Sequence, residues 1–151
     1  MKQDRETEES IDFASNLTGT WQSDWPRTKR HIDAECKLTE ENMIGLELFM
    51  GKMTIRYEET RAVFTMPEIR FRKEGKERIL ESWTFEEPIN VLDQTDSQIA
   101  LLSSAWTSHL GEADFINIIT FESADTFWLY MGHSPFVDLH VREYFSRIEP
   151  M

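Results

Sequence analysis

Two spacings of apolar residues divide this chain. Between residues 24 and 51 they recur at helical intervals, and from residue 52 onward they alternate. Asp24-Trp25-Pro26 reads as a helix start, because proline in the first turn loses nothing by lacking an N–H. Ile32 and Cys36, four apart, then share a face. Thr39 is the N-cap of a second helix, with Glu40 and Glu41 set favourably against the helix dipole. Leu38 and Met43 are spaced as a hydrophobic staple; Met43, Leu46, Phe49 and Met50 fall on one stripe, and Gly51 ends it.

After Lys52, Met53, Ile55 and Tyr57 alternate with polar residues, and Ala62, Phe64 and Met66 do the same. Pro67 interrupts the pattern. Further strands are predicted at 69–72, 79–85, 89–92, 99–106, 115–121, 127–131 and 139–148, and residues 18–23 form a first strand ahead of the helices. Ile11, Phe13 and Leu17 suit a short helical turn that plugs the core. Residues 1–10 read as a disordered acidic tail and residues 11–151 as a single domain. Short connections favour antiparallel neighbours, and a long meander tends to close on itself because closure removes its edges. The predicted class is mainly β: an antiparallel up-and-down β-barrel of about 8–10 strands, with a helix pair between strands one and two.

Composition narrows the choice of partners. Among 151 residues, Lys and Arg number 16 against 28 Asp and Glu, for a formal charge of −12. A field of that sign repels phosphate, so neither nucleic acid nor a membrane surface is an expected partner. The hydrophobic share, 40%, suffices for a real core. Cys36 is the only cysteine, which excludes an internal disulfide and a thiolate zinc site. The opening MKQDRETEES lacks a signal-like apolar stretch and no run is long enough to span a bilayer, so a cytoplasmic location is expected. His109, His133 and His140, with Asp138 nearby, lack short ligand spacings, and His31 is off the face of Cys36. No cofactor, metal or catalytic residue is predicted.

Asn16-Leu17-Thr18-Gly19-Thr20-Trp21 resembles the opening strand of the calycin superfamily, the lipocalins and fatty-acid-binding proteins, whose barrels begin with Gly-x-Trp. A glycine lets the chain bend where the barrel closes, and the indole covers its end. The lipocalin pattern adds a late arginine lying on this tryptophan; the resemblance implies Arg147, with Arg142 as the rival. Gly19, Trp21 and Arg147 are thus expected structural residues. A helix pair after strand one resembles the lid of the fatty-acid-binding proteins, whose last strand carries an Arg-x-Tyr pair that holds the ligand carboxylate; Arg142-Glu143-Tyr144 matches it. The chain also resembles small bacterial lipocalin-like proteins of unassigned function, through Gly19 to Asp24 and Arg142 to Phe145.

The resemblance implies a small, mostly apolar ligand, carboxylate-bearing as one option, oriented by Arg142 and Tyr144. Tyr57, Trp83, Trp106, Trp128 and Tyr130, on successive strands, would supply aromatic wall. Two alternatives stay open. One is a small non-metal decarboxylase or isomerase, for which Tyr57, Glu81, Arg142 and Tyr144 supply the residue types. The other is an interaction module with a filled barrel. A homodimer through a sheet face is compatible with all three. Periodicity leaves undecided which face of the last strand is interior, since Val141, Glu143 and Phe145 are as mixed as Arg142 and Tyr144.

Overall fold

The computed structural model describes residues 16–107, 111–130 and 141–150. The elements run β1 (Gly19–Ser23), α1 (Trp25–Glu35), α2 (Glu40–Phe49), β2 (Thr54–Tyr57), β3 (Arg61–Met66), β4 (Ile69–Lys73), β5 (Lys76–Leu80), β6 (Trp83–Pro88), β7 (Asn90–Gln94), β8 (Gln98–Thr107), β9 (Gly111–Ser123), β10 (Thr126–Tyr130) and β11 (Arg142–Pro150). The expected plug at Ile11 and Phe13 and the acidic tail lie outside the described residues, as do His109, His133, His140 and Asp138.

Nine strands form one antiparallel sheet in the order β6-β3-β2-β1-β11-β10-β9-β8-β7. The sheet curls into a nearly closed barrel, mainly β as the alternation predicts, with the helix pair between β1 and β2. Closure runs through β1, which pairs with β2 on one side and with β11 on the other. The seam lies between β6 and β7, consecutive in the chain but with no shared ladder. A side-chain bond spans it: Ser103 Oγ on β8 donates to Glu87 on β6 at 3.1 Å.

Residues 79–85 do not make a single strand. Glu74 (φ 55) and Gly75 (φ 76) form a tight turn that folds β5 back onto β4, the positive-φ pair favoured in two-residue hairpins. This hairpin pairs with no strand of the barrel, and a new strand starts at Trp83 after the polar Glu81-Ser82. The hairpin touches α2, with Phe71 edge-on to Phe49 at 6.2 Å.

Both helices start as their caps dictate. The Asp24 carboxylate accepts from Arg27 N at 3.2 Å, and Thr39 Oγ1 accepts from Asn42 N at 3.1 Å. Ile32, Leu46 and Met50 bury a small second core with Val141, separate from the barrel's own. Thr28, fully buried, docks α1 on the barrel: its hydroxyl accepts the backbone N–H of Tyr144 at 2.9 Å. Thr28→Val keeps the shape but orphans that buried N–H. It is expected to cost about 1–3 kcal/mol in urea unfolding, whereas Thr28→Ser keeps the acceptor and costs less.

Candidate functional site

Opposed residues of an antiparallel ladder share a face, and neighbours along a strand alternate. Trp21, fully buried, therefore fixes the inside of the barrel. It opposes Ile55 on β2 and Arg147 on β11, and Ile55 opposes Phe64. A second inward row runs Tyr57, Ala62, Glu87. On the other side, Phe145 opposes Phe127, and Glu143 opposes Leu129. The outward rows are then Tyr144 with Trp128, and Arg142 with Tyr130.

The Trp21 end is packed shut. Its indole N–H donates to the Leu17 carbonyl at 2.9 Å, and the Phe127 ring lies 4.6 Å away. The Arg147 guanidinium lies over the indole, its Cζ 4.2 Å from the ring centroid, and donates to the carbonyls of Thr18 and Asn16, each at 2.7 Å. Gly19 makes room for it: a Cβ there would fall 2.5 Å from Arg147 Nη1 and 2.8 Å from the Glu149 carbonyl oxygen.

Further along the barrel axis the interior opens into a cavity of about 180 Å³. Ile55, Phe64, Leu101, Ile119, Leu129 and Phe145 give it apolar walls. Its polar groups are Tyr57, Glu87, Ser103, Asn117 and Glu143. Asn117 Nδ2 donates to Ser103 Oγ at 3.0 Å, and Ser103 donates on to Glu87, a chain crossing from β9 to β6. Glu143 accepts from Ser23 Oγ at 2.7 Å, and that same oxygen accepts the Gly51 N–H at 3.0 Å. The serine thus ties the carboxylate to the junctions at both ends of the helix pair.

Burial dominates the electrostatics. It pushes the Glu143 carboxyl from 4.5 up to about 7, with the Ser23 hydroxyl pulling partly back. Burial also raises Glu87, opposed by hydrogen bonds from Ser103 and the Ser104 backbone. The Tyr57 phenol is pushed up by burial and then by the Glu87 charge. A carboxyl whose folded pKa exceeds its unfolded value binds protons more tightly when folded. Its contribution to stability is therefore fully present below about 4.5 and is lost as pH rises through about 7. Glu143→Gln removes the titrating group. It is expected to be more stable than the parent at pH 8 by on the order of 1–3 kcal/mol, an advantage that shrinks towards pH 5 in thermal unfolding.

The outer face carries a different arrangement. The Arg142 guanidinium stacks on Trp128, Cζ 3.8 Å from the ring centroid, with Tyr130 at 5.7 Å. It donates to the Tyr144 hydroxyl at 3.4 Å, and Tyr144 packs beside His31 of α1, ring centroids 6.1 Å apart. A hollow of about 430 Å³ between α1 and the strands is lined by His31, Glu35, Tyr130 and Arg142.

Searches of family models, curated proteins and solved structures find no match. What the chain does must be read from its own geometry.

That geometry separates the residues expected to share a site. Tyr57 lines the interior cavity. Trp83, opposite Met66, belongs to the inner face by register but is 45% exposed and stands off the cavity wall. Arg142, Tyr144, Trp128 and Tyr130 come together, but on the outside, beneath and beside α1. Trp106 belongs to β8; its side chain lies outside the described residues. Among the described residues no group of three or more His, Cys, Asp or Glu is placed to hold a metal, and no helix is long and apolar enough to cross a membrane.

Sequence reasoning missed Glu87, Ser103, Asn117 and Glu143. The signal for Asn117 was present: it interrupts the row Phe115, Ile119, Phe121, which otherwise reads as buried. Glu143 is flagged the same way between Val141 and Phe145. A polar residue set in an inward apolar row needs a partner or a ligand.

Proposed function

We propose that this protein is a calycin-like carrier or sensor that binds a small, mostly apolar molecule inside its barrel. The observation that carries this reading is the interior cavity, about 180 Å³ with apolar walls and a few converging polar groups. An apolar cavity of ~150 Å³ takes up benzene, so the space suits a ligand of roughly seven to ten heavy atoms. Closure through β1 and β11 and the arginine on Trp21 support the calycin likeness. A cytoplasmic setting and a soluble small-molecule partner remain part of this proposal, and a homodimer through a sheet face is compatible with it.

The test is occupancy. Native mass spectrometry of the freshly purified chain and calorimetric titration with hexanol and benzyl alcohol report it directly. Leu129→Trp, which fills the cavity from β10, is expected to lower affinity at least about tenfold while the fold is retained. A parent protein that carries no small molecule and binds neither these alcohols nor hexylamine, or equal binding to the filled variant, overturns the reading.

A second reading, a proton-transfer enzyme, draws on one observation: Glu143 titrates near neutrality on a cavity wall, as a general base would. Arg142, next to it in sequence, faces the opposite side of the sheet.

A further inference from the structure

The charged groups of the cavity are of one sign. Its carboxylates, Glu143 on β11 and Glu87 on β6, come from distant strands, and among the described lining residues there is no Lys, Arg or His. The cations of the neighbouring segments are turned elsewhere: Arg142 stacks on Trp128 outside the barrel, and Arg147 is held by carbonyls at the Trp21 end. Glu143 Oε2 is occupied by Ser23, whereas Oε1 has no protein partner among the described residues. Tyr57, on β2, adds an aromatic ring to the same wall.

From this we infer that the ligand is a small amine: a primary ammonium group on an apolar tail, bound with its nitrogen on Glu143 and its tail among Ile55, Leu101 and Ile119. The inference rests on the proposal that the barrel binds a small apolar molecule, and it names the class. An ammonium group brings three donors and no acceptor. It fits a wall whose charged groups only accept when ionised, and it supplies the opposite charge that a buried carboxylate otherwise lacks. A carboxylate ligand would instead meet two groups of its own sign. The phenol ring of Tyr57 offers an ammonium a favourable face as well.

Binding is then coupled to ionisation. The groups facing Glu143 across the cavity are Tyr57, Glu87, Ser103 and Asn117, with Ser23 beside it; of these only Glu87 and Tyr57 titrate. Because burial favours the protonated form of Glu143, amine binding below neutral pH must expel a proton, and affinity rises with pH until the carboxyl is ionised.

The experiment is calorimetric titration of the intact chain with hexylamine, hexanol and hexanoate in 150 mM salt, at pH 6 and pH 8. Hexylamine is expected to bind at least tenfold more tightly than the other two at pH 8, to lose most of that advantage at pH 6, and to lose it at both pH values in Glu143→Gln. Hexanol binding as well as hexylamine overturns the amine assignment and leaves the apolar-ligand reading standing. Hexanoate binding best overturns it likewise. Failure of all three overturns both. The protein's overall negative charge attracts cations to its surface without any site. Amine selectivity undiminished in both Glu143→Gln and Glu87→Gln, or abolished by 0.5 M salt in the parent, therefore assigns binding to that surface attraction and overturns the proposal. Glu87→Gln also serves should Glu143→Gln fail to fold, since a ligand seated against both carboxylates loses affinity in it.

Discussion

Alanine at position 127 is expected to lower the unfolding free energy by about 3–5 kcal/mol, the largest loss of any single substitution considered for this barrel. Phe127 is fully buried at the centre of an aromatic cluster. Its ring lies 4.6 Å from Trp21, 5.1 Å from Phe145 in a stacked arrangement and 5.9 Å from Phe121. Truncation loses the transfer energy of the ring and leaves a hole that β-sheet backbones, fixed by their ladders, cannot collapse to fill. Phe127→Leu retains most of the volume and is expected to cost about half as much. Urea unfolding followed by tryptophan fluorescence measures both. A loss under about 1 kcal/mol for alanine would mean that this cluster is not the core.

Arg147→Ala is expected to cost about 2–4 kcal/mol, an unusual sum for an arginine near the surface. An exposed ion pair alone is worth little, and the one here joins Arg147 to Asp125 at 3.1 Å with the aspartate 75% exposed. The energy resides elsewhere: the guanidinium lies over the Trp21 indole while its nitrogens satisfy the carbonyls of Thr18, Asn16 and Ala124. A lysine cannot cover the indole and reach three carbonyls at once, so Arg147→Lys is expected to recover less than about half of the loss. Gly19 gives an independent handle. At φ 138 it occupies a conformation that L side chains rarely adopt, and a Cβ would strike both Nη1 and the Glu149 carbonyl. Gly19→Ala is expected to destabilise by about 1–3 kcal/mol, and by less when Arg147 is already alanine, because one of the two clashes is then gone. Strict additivity in that double-mutant cycle would show that the glycine does not serve the arginine.

Much of the fold was legible because it is written in period. Alternation from Met53 to Tyr57 and from Phe115 to Phe121, the caps at Asp24 and Thr39, and short connections all point the same way, and the barrel follows from them. The break between β5 and β6 was hidden because Ile79-Leu80 and Trp83-Thr84-Phe85 read as one apolar run across Glu81-Ser82. The site was less legible, for a physical reason located in β11. A strand with solvent on one side announces its inner face. Here α1 covers the outer face, so Tyr144 outside is 8% exposed while Phe145 inside is 1% exposed, and both read as core. The Arg142-Tyr144 pair therefore faces outward although it reads as well as its neighbours for an inner face, and the polar residues set in apolar rows, Asn117 and Glu143, carry the cavity's chemistry.

The pairing of β1 with β11 also governs how the molecule comes into being. Thr18 and Arg147, bonded in the finished barrel, stand 129 residues apart in the chain. At roughly 5–20 residues per second, a ribosome takes on the order of 6–25 s to make the second after the first. Once β2 has been made, β1 has it on one flank but a bare edge on the other, and the Trp21 indole waits for its cation. Strand meanders can zip locally as they emerge, yet the join of β1 to β11 that links the two sets of strands into a vessel must be made last, after translation has passed residue 150, at the entropic cost of a long loop. Until then β6-β3-β2-β1 and β11-β10-β9-β8-β7 are two separate apolar-faced sheets, since β6 and β7 share no ladder, and chaperone dependence should be greatest at that stage.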